Sequence, residues 1–209
     1  MGVPDSLPQR IFVLAYNPAK GRVGLDSNLG LMLRAAALAD LYLGGHLADE
    51  RGRAAIAVRR PCHDPVLDAL LDEIAGSKPR TWQFWVDRRY RAARSAVRQQ
   101  LSDRGWVYLQ RRRILGLFPT TKVTIRDPRV RKELLDQVNA ALNEPIDSID
   151  PADAALVAIV AAGDLTLVLN RKTKRANKQR IQELTKLSGP IGPALHKSVQ
   201  QAAAAGAFG

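Results

Sequence analysis

Two stretches of the sequence are apolar at almost every position, and they constrain the fold more than any other feature. Residues 28–43 carry Arg34 and Asp40 as their only charges, and a glycine pair follows. Residues 152–162 are nearly all apolar and also end at a glycine. A helix that is apolar all round has to be buried on every side. The sequence therefore predicts two central, buried helices with the rest of the chain packed around them.

Three helix starts, including that of the second buried helix, are marked by an aspartate followed directly by proline, at Asp64, Asp127 and Asp150. Aspartate is a good N-cap, and proline is favoured at the first helical position because its missing N–H is not needed there. Together with apolar residues spaced three or four apart, this pattern predicts helices over residues 66–74, 82–104, 128–143 and, more weakly, 194–205.

Strand signals are shorter and fall between the helices. Residues 46–48 and 54–58 flank a polar turn, and residues 106–109 and 122–125 form a second pair. We also expect short strands at residues 11–16, with a possible partner at 22–25, and at 165–169. The fold class is therefore mainly α. We expect residues 1–209 to form a single-domain helical bundle around two buried helices, with two or three β-hairpins, one carrying an apolar tip.

The tip of the 106–125 hairpin has an unusual composition. Arg111, Arg112 and Arg113 run directly into Ile114, Leu115, Gly116, Leu117, Phe118 and a proline. Hairpin connections are normally polar because their backbone is solvated. Cations followed by large apolar side chains suit insertion into an anionic membrane surface. The alternative is that residues 114–118 form the second strand and are buried on the core.

The charge balance narrows the class of partner. The chain has 32 Lys and Arg against 20 Asp and Glu, a formal charge of +12 and a pI near 10.4. Such a protein is expected to bind a polyanion, either nucleic acid or anionic lipid. The basic run at residues 171–180 is either a solvated face or a source of nonspecific attraction to anionic lipid.

Four arginines are placed more specifically. Arg91, Arg94 and Arg98 follow one stripe of the helix predicted over 82–104. Arg34 is a cation inside an otherwise apolar helix, and a buried arginine needs a partner. Asp40 is too far round that helix, so the partner is either another carboxylate or a bound phosphate, which the planar guanidinium suits.

Catalytic and metal signatures are lacking in the sequence. The three histidines are scattered, and Cys62-His63 has no accompanying ligand spacing. No Walker or Rossmann loop is present. We expect no catalytic residues, no metal and no cofactor. The single cysteine fits a reducing compartment, and no apolar run reaches the roughly 18 residues of a spanning helix. Any membrane contact should therefore be peripheral and cytoplasmic.

Five segments in consistent order resemble one known family. The order of the five is more specific than any single one, and together they span nearly the whole chain. They are LDSNLGLMLRAAALADLYLGGHL (25–47), DPVLDALLDEI (64–74), RSAVRQQLSDRG (94–105), ILGLFPTTKVTIRDP (114–128) and DAALVAIVAAGDLTLVL (153–169). The chain is similar in these segments to the Golgi phosphoprotein 3 family, in a compact form that looks bacterial.

The resemblance implies a mostly helical, non-enzymatic peripheral membrane protein. Eukaryotic members bind phosphatidylinositol 4-phosphate on the cytosolic face of the Golgi and hold glycosyltransferases by short cytosolic tails. The partners implied are an anionic phospholipid membrane and short basic or apolar tails of membrane proteins. The family's headgroup pocket uses one Arg in the buried helix and two on the long helix, which match Arg34, Arg91 and Arg94. Its inserting tip matches Ile114, Leu115, Leu117 and Phe118, with Arg111, Arg112 and Arg113 at the membrane surface.

The chain departs from the family pattern at one position of the pocket. The family has a tryptophan in the loop before the buried helix, where this chain has Leu25 with Asp26 beside it. Loss of an aromatic wall and gain of a carboxylate should both weaken binding of a phosphorylated headgroup. We therefore expect binding to anionic lipid with reduced phosphoinositide specificity.

A winged-helix-like nucleic-acid-binding protein is the main alternative. A helix followed by a hairpin, with Arg91, Arg94 and Arg98 along a phosphate backbone, would fit that class. The apolar residues 114–118 argue against it, because they have no use in a solvated groove unless they wedge between bases. Nucleic acid is therefore the less favoured partner, and an enzyme is the third and weakest reading.

Overall fold

The computed structural model describes residues 2–24, 28–114 and 118–206, and for residues 111–114, 118–120 and 206 it describes the backbone alone. Within these ranges the chain forms ten α-helices and three small antiparallel sheets, which confirms the mainly helical fold class. The helices are α1 (Leu7–Leu14), α2 (Leu29–Leu43), α3 (Pro65–Ala75), α4 (Trp82–Asp87), α5 (Tyr90–Asp103), α6 (Pro128–Asn143), α7 (Pro151–Ala162), α8 (Arg171–Ala176), α9 (Lys178–Leu187) and α10 (Ile191–Gly206). The strands are β1 (Tyr16–Asn17), β2 (Arg22–Val23), β3 (Leu47–Glu50), β4 (Arg53–Ile56), β5 (Arg80–Thr81), β6 (Val107–Ile114) and β7 (Phe118–Ile125).

Helices α2 and α7 are the two buried helices predicted from the sequence. They pack against each other, and nearly every side chain of both is buried. Met32 packs tightly against the end of α7, where a Cβ built on Gly163 would lie 2.4 Å from Cγ of Met32. Helices α1, α3, α4, α5 and α10 pack on α2, while α6, α9 and α10 pack on α7. The buried apolar side chains form one continuous core.

The three predicted Asp-Pro helix starts are confirmed. The Asp64 side chain accepts hydrogen bonds from the backbone N–H groups of Val66 and Leu67. Asp127 accepts one from Arg129 N, and Asp150 accepts one from Ala152 N. Each cap satisfies donors that have no partner within the first turn of the helix.

Two predictions in the first half of the chain are wrong. Residues 11–16 were expected to form a strand, but residues 11–14 belong to α1, which has proline in its first turn. Almost every side chain of α1 is buried. Its apolar run therefore shows neither the 3.6-residue period of a helix nor the two-residue period of a strand, and the pattern does not distinguish the two. Residues 82–104 were expected to form one helix, but the chain breaks between α4 and α5 at Arg89, which has a left-handed φ of 53°.

Residues 165–169 were also expected to form a strand, and they form turns instead. Leu165 and Leu169 are both buried, four residues apart, and Leu169 N donates to the Leu165 carbonyl at 3.1 Å. The two leucines are therefore buried in a segment whose backbone bonds locally and does not pair with another strand.

Three hairpins lie within the described residues, where the sequence predicted two or three. β1 pairs with β2, β3 with β4, and β6 with β7, and β5 adds a third strand to the β3–β4 sheet. The β6–β7 register runs from Val107 opposite Ile125 to Ile114 opposite Phe118. Val107, Val123 and Ile125 are buried, so the base of this hairpin is anchored in the core.

Candidate functional site

Arg34 lies on α2 with 9% of its surface exposed. Its Nε donates to the Trp85 carbonyl at 3.2 Å, and its Nη2 lies 3.2 Å from Oε2 of Glu73 on α3. The partner of Arg34 in the structure is therefore Glu73, a carboxylate other than Asp40. The sequence had left two partners open for Arg34, another carboxylate or a bound phosphate. Burial lowers the pKa of the Arg34 guanidinium, and the charge of Glu73 opposes that shift.

Glu73 is the centre of a cluster that the sequence did not reveal. Its Oε1 is 2.6 Å from Nε of Arg88 and 3.4 Å from Nε of Arg89, in addition to the contact with Arg34. Its side chain is 16% exposed. Three guanidinium groups thus share one carboxylate, which leaves the cluster with two excess positive charges. The only signal was the lone cation on an apolar helix, which required a carboxylate or a bound phosphate as partner without indicating which residue.

A cleft of about 700 Å³ lies beside this cluster. Arg34, Glu73 and Arg89 form part of its lining, and the apolar part includes Ala92 and Ala96 on α5. Its size falls in the range of small-molecule sites, roughly 300–1,000 Å³. Its lining carries the guanidinium groups of Arg34 and Arg89 together with the carboxylates of Asp72, Glu73 and Asp103.

Arg91 and Arg94 share another face of α5, one turn apart. Nη2 of Arg94 donates to the Gly24 carbonyl, directly after β2, at 2.5 Å. Arg91 is exposed, with its Nε 3.2 Å from the Tyr90 hydroxyl and its guanidinium 5.6 Å from the Tyr90 ring centre. Leu25 and Asp26, where the departure from the family pattern falls, lie outside the described residues.

The two groups of arginines are brought to one region by the packing of α2 on α5. A Cβ on Gly30 would lie 2.4 Å from the Tyr90 carbonyl oxygen, so the two helices approach backbone to backbone. Arg34 is one turn beyond Gly30, and Arg94 is one turn beyond Tyr90. Their side chains then diverge. Arg34 contacts Glu73 on α3, whereas Arg94 contacts the Gly24 carbonyl.

The predicted membrane-inserting residues fall mainly outside what the structure describes. Residues 115–117, which include Leu115 and Leu117, are not described, and the side chains of Ile114 and Phe118 are not described either. The same holds for the side chains of Arg111, Arg112 and Arg113, whose backbone lies in β6. Below the tip, Tyr108 is 52% exposed with the Arg126 guanidinium 4.5 Å from its ring centre.

The basic run at residues 171–180 is divided between surface and structural roles. Arg171, Lys172 and Arg175 are exposed on α8. Arg180 is a structural residue, because its guanidinium donates to the carbonyls of Ala141 and Glu144 at the end of α6, at 2.9 and 2.5 Å.

Cys62 and His63 do not form a pair with each other. The Cys62 sulfur lies 3.6 Å from Nε2 of His46, and burial, aided by Asp68, raises the pKa of the Cys62 thiol to about 11. A thiol that stays protonated is a poor nucleophile and a poor metal ligand. In the part of the chain that the structure covers, no three His, Cys, Asp or Glu side chains are grouped so as to hold a metal ion.

Comparison with known families gives one match. The family described as Golgi phosphoprotein 3 (GPP34) matches residues 7–202, which is nearly the whole chain. That family consists of generally non-enzymatic adaptors and is known for phosphatidylinositol 4-phosphate binding at membranes. No curated protein matches the chain. None of the helices in the described ranges is long and apolar enough to cross a bilayer.

Proposed function

The chain belongs to the Golgi phosphoprotein 3 family, and we propose that it is a non-enzymatic peripheral membrane protein that binds anionic phospholipid. Arg34, Arg91 and Arg94 hold the headgroup, which is phosphoinositide-like. Ile114, Leu115, Leu117 and Phe118 at the hairpin tip enter the bilayer, and Arg111, Arg112 and Arg113 meet its surface. Residues 1–209 act as one domain, and short basic or apolar tails of membrane proteins are its clients.

The observation that carries this proposal is the excess of positive charge around Arg34. Three guanidinium groups share the single carboxylate of Glu73 beside an open cleft. Arg91 and Arg94 project from the adjoining part of α5. A phosphate group bound by guanidinium groups forms charge-assisted hydrogen bonds, which are about twice as strong as neutral ones.

The apolar tip would make the attachment resistant to salt. Each basic residue near an anionic surface contributes about 1 kcal/mol, a contribution that salt screens. Burial of a large apolar side chain contributes roughly 1.5–3 kcal/mol and is not screened. Binding by the arginines alone would therefore fail at high ionic strength, and binding with the tip inserted would persist.

Headgroup selectivity should be modest, because Leu25 and Asp26 stand where the family has an aromatic wall. We expect binding to vesicles with phosphatidylinositol 4-phosphate and to vesicles with cardiolipin, with a small preference between them. Vesicles of phosphatidylcholine alone should not retain the protein.

Vesicle flotation tests the proposal. The double variant Arg91→Ala, Arg94→Ala should float several-fold less than the unchanged protein on anionic vesicles. Arg129→Ala combined with Lys132→Ala is the matched control, because both side chains are exposed on α6 and their loss also removes two positive charges. If both variants lost flotation to the same extent, net charge alone would explain the loss, and the headgroup assignment would be wrong.

The tip is tested separately with Leu117→Asp combined with Phe118→Asp. This variant should lose flotation at high salt while its thermal unfolding curve stays unchanged. A variant that fails to fold would place the tip in the core instead. A gel shift with duplex DNA at the same salt concentration tests the nucleic-acid-binding alternative. Tighter binding to DNA than to vesicles would favour that alternative.

A further inference from the structure

A separate cavity, of about 490 Å³, lies where α7, α9 and α10 meet. The described residues that line it include neither the proposed headgroup arginines nor any part of the β6–β7 hairpin. Its apolar lining comes from all three helices and includes Ala158, Ala161, Ala162, Ile181 and Pro193. Its volume falls in the range of small-molecule sites, roughly 300–1,000 Å³. The cavity can therefore hold a small apolar group.

The three helices converge tightly at one end of this cavity. A Cβ built on Gly192 of α10 would lie 2.8 Å from Cγ2 of Thr185 on α9 and 3.7 Å from Cβ of Ala158 on α7. The Thr185 hydroxyl donates to the Ile181 carbonyl at 2.6 Å, so its polar atom is bonded within its own helix. This end of the cavity is therefore narrow and apolar.

The opposite end of the cavity carries lysines. Lys178, at the start of α9, lines the cavity two helical turns before Thr185, a distance of roughly 10 Å along the helix axis. Lys174 on α8 also lines it, and its amine pairs with Asp164, directly after the end of α7. This ion pair places the lysines beside the end of α7, whereas Ala158 lies at the narrow end.

One positive charge is left over at this end. Asp164 compensates Lys174, and Glu183 on α9 pairs with Arg180 at 3.7 Å. Lys178 is exposed and forms no ion pair within the described ranges. The described residues that line the cavity include no carboxylate. The cavity thus combines an apolar interior with a single uncompensated ammonium group, which is complementary to an apolar monoanion.

We propose that this cavity binds a free alkyl carboxylate of medium chain length, the anion of a fatty acid. Its chain lies between α7, α9 and α10 with the methyl end towards Gly192, and its carboxylate accepts a hydrogen bond from the Lys178 amine. The chain supplies most of the affinity, because each methylene group removed from water strengthens binding about fourfold. A phosphate dianion fits less well, because only one ammonium group is uncompensated.

Three probes test the site in solution without vesicles. Octanoate should bind saturably at pH 8 and constant ionic strength, below its micelle concentration, measured by chemical-shift changes of the Ala158 and Ala162 methyl groups. Hexanoate has two fewer methylene groups and should bind roughly tenfold more weakly. Octylammonium has a chain of the same length with the opposite charge, and it should bind at least severalfold more weakly than octanoate.

Each probe has a result that would overturn the proposal. Equal affinity for hexanoate and octanoate would place the chain outside the cavity. Equal affinity for octanoate and octylammonium would remove the role of the lysine. If octanoate left the Ala158 and Ala162 methyl signals unchanged, the cavity would not be its binding site.

The role of Lys178 is tested by Lys178→Gln, which should weaken octanoate binding severalfold through loss of a charge-assisted hydrogen bond. Lys172→Gln is the matched control, because it removes an exposed positive charge on α8 that does not line the cavity, and it should change nothing. If both variants lost the same affinity, net charge alone would explain the loss, and the proposal would be wrong.

The position of the chain is tested by Ala162→Leu, which adds apolar volume inside the cavity. This variant should lose octanoate binding, and its thermal unfolding curve shows whether it folds, as expected for a half-buried position. Unchanged octanoate affinity in the folded variant would overturn the proposal. If Ala162→Leu does not fold, the chain-length series and Lys178→Gln decide the question.

The site is independent of membrane attachment. The double variant Arg91→Ala, Arg94→Ala should bind octanoate as tightly as the unchanged protein, because neither arginine lines the cavity. Loss of octanoate binding in this variant would assign octanoate to the headgroup site and overturn the proposal of a second site.

Discussion

Nη2 of Arg34 and Oε2 of Glu73 lie 3.2 Å apart, across the packing of α2 on α3, and both side chains are largely buried. Glu73→Gln would leave the Arg34 charge without its counter-ion. Removing one member of a buried ion pair costs about 3–5 kcal/mol, and the partial exposure of Glu73 reduces this to about 2 kcal/mol. Urea unfolding measures the loss. Asp72→Asn is the control, because its pair with Arg59 is exposed and should contribute less than about 1 kcal/mol.

The same substitution should act in the opposite direction on lipid binding. Without Glu73, the carboxylate that Arg34, Arg88 and Arg89 share is gone, so an anionic headgroup no longer competes with it for these guanidinium groups. We expect Glu73→Gln to float several-fold more on anionic vesicles while it is less stable. A variant that is both less stable and weaker in flotation would mean that Glu73 only positions Arg34.

Gly30 is required by the contact between α2 and α5. A Cβ at this position would lie 2.4 Å from the Tyr90 carbonyl oxygen, and a backbone atom cannot move aside as a flexible side chain can. Gly30→Ala should destabilise the protein by about 3 kcal/mol. Gly76→Ala, where the nearest atom is 3.5 Å away, should stay within about 1 kcal/mol of the unchanged protein. Equal effects in thermal unfolding would show that the close approach is not limiting.

Asp64 should contribute more to stability than Asp150, although both cap a helix in the same sequence context. Asp150 bonds only the first turn of its own helix and is exposed. Asp64 bonds two backbone N–H groups and the buried Gln100 side chain, which would be left without an acceptor. We expect about 3 kcal/mol for Asp64→Ala and about 1 kcal/mol for Asp150→Ala in urea unfolding. Equal costs would show that Gln100 finds another partner.

Local signals in the sequence were sufficient wherever one short motif decides the structure. The Asp-Pro pairs fixed the start of α3, α6 and α7, because the cap and the proline act within one turn. The buried helices α2 and α7 could be predicted because their apolar runs are longer than a typical strand, and an apolar run of that length in a globular protein is typically a buried helix.

Features that depend on distant contacts could not be predicted. Glu73 is 39 residues from Arg34, and no pattern in the sequence links the two. The break at Arg89 is invisible in the helical spacing of residues 82–104, yet it places Arg88 and Arg89 against Glu73. The hydrogen bond from Leu7 N to Asp40 also forms only when α1 packs on α2. Their positions in the helices singled out Arg34, Arg91 and Arg94 as candidates, and the resemblance to a family gave them the headgroup role.

Asp40 gives a prediction with a definite pH dependence. Burial raises its pKa from the ordinary 3.8 to about 7, so the folded protein favours the protonated carboxyl. As the pH rises from about 4 to about 7, the Asp40 carboxyl loses its proton readily in the unfolded chain. In the folded protein, burial makes ionisation of the same carboxyl unfavourable. The contribution of Asp40 to stability therefore falls over this window, by at most about 4 kcal/mol, and is constant above it.

Asp40→Asn tests this, because the amide oxygen can still accept the hydrogen bond from Leu7 N without carrying charge. The variant should match the unchanged protein near pH 4 and be more stable by up to a few kcal/mol at pH 8. The measured quantity is the difference in the free energy of unfolding between the two proteins at each pH, which cancels the titration of the other carboxyls. The control Asp136→Asn, which removes an exposed carboxylate on α6, should show no such difference. A constant difference from pH 4 to pH 8 would mean that the Asp40 carboxylate is ionised throughout and is already compensated, by Arg10 or by solvent, in the folded protein.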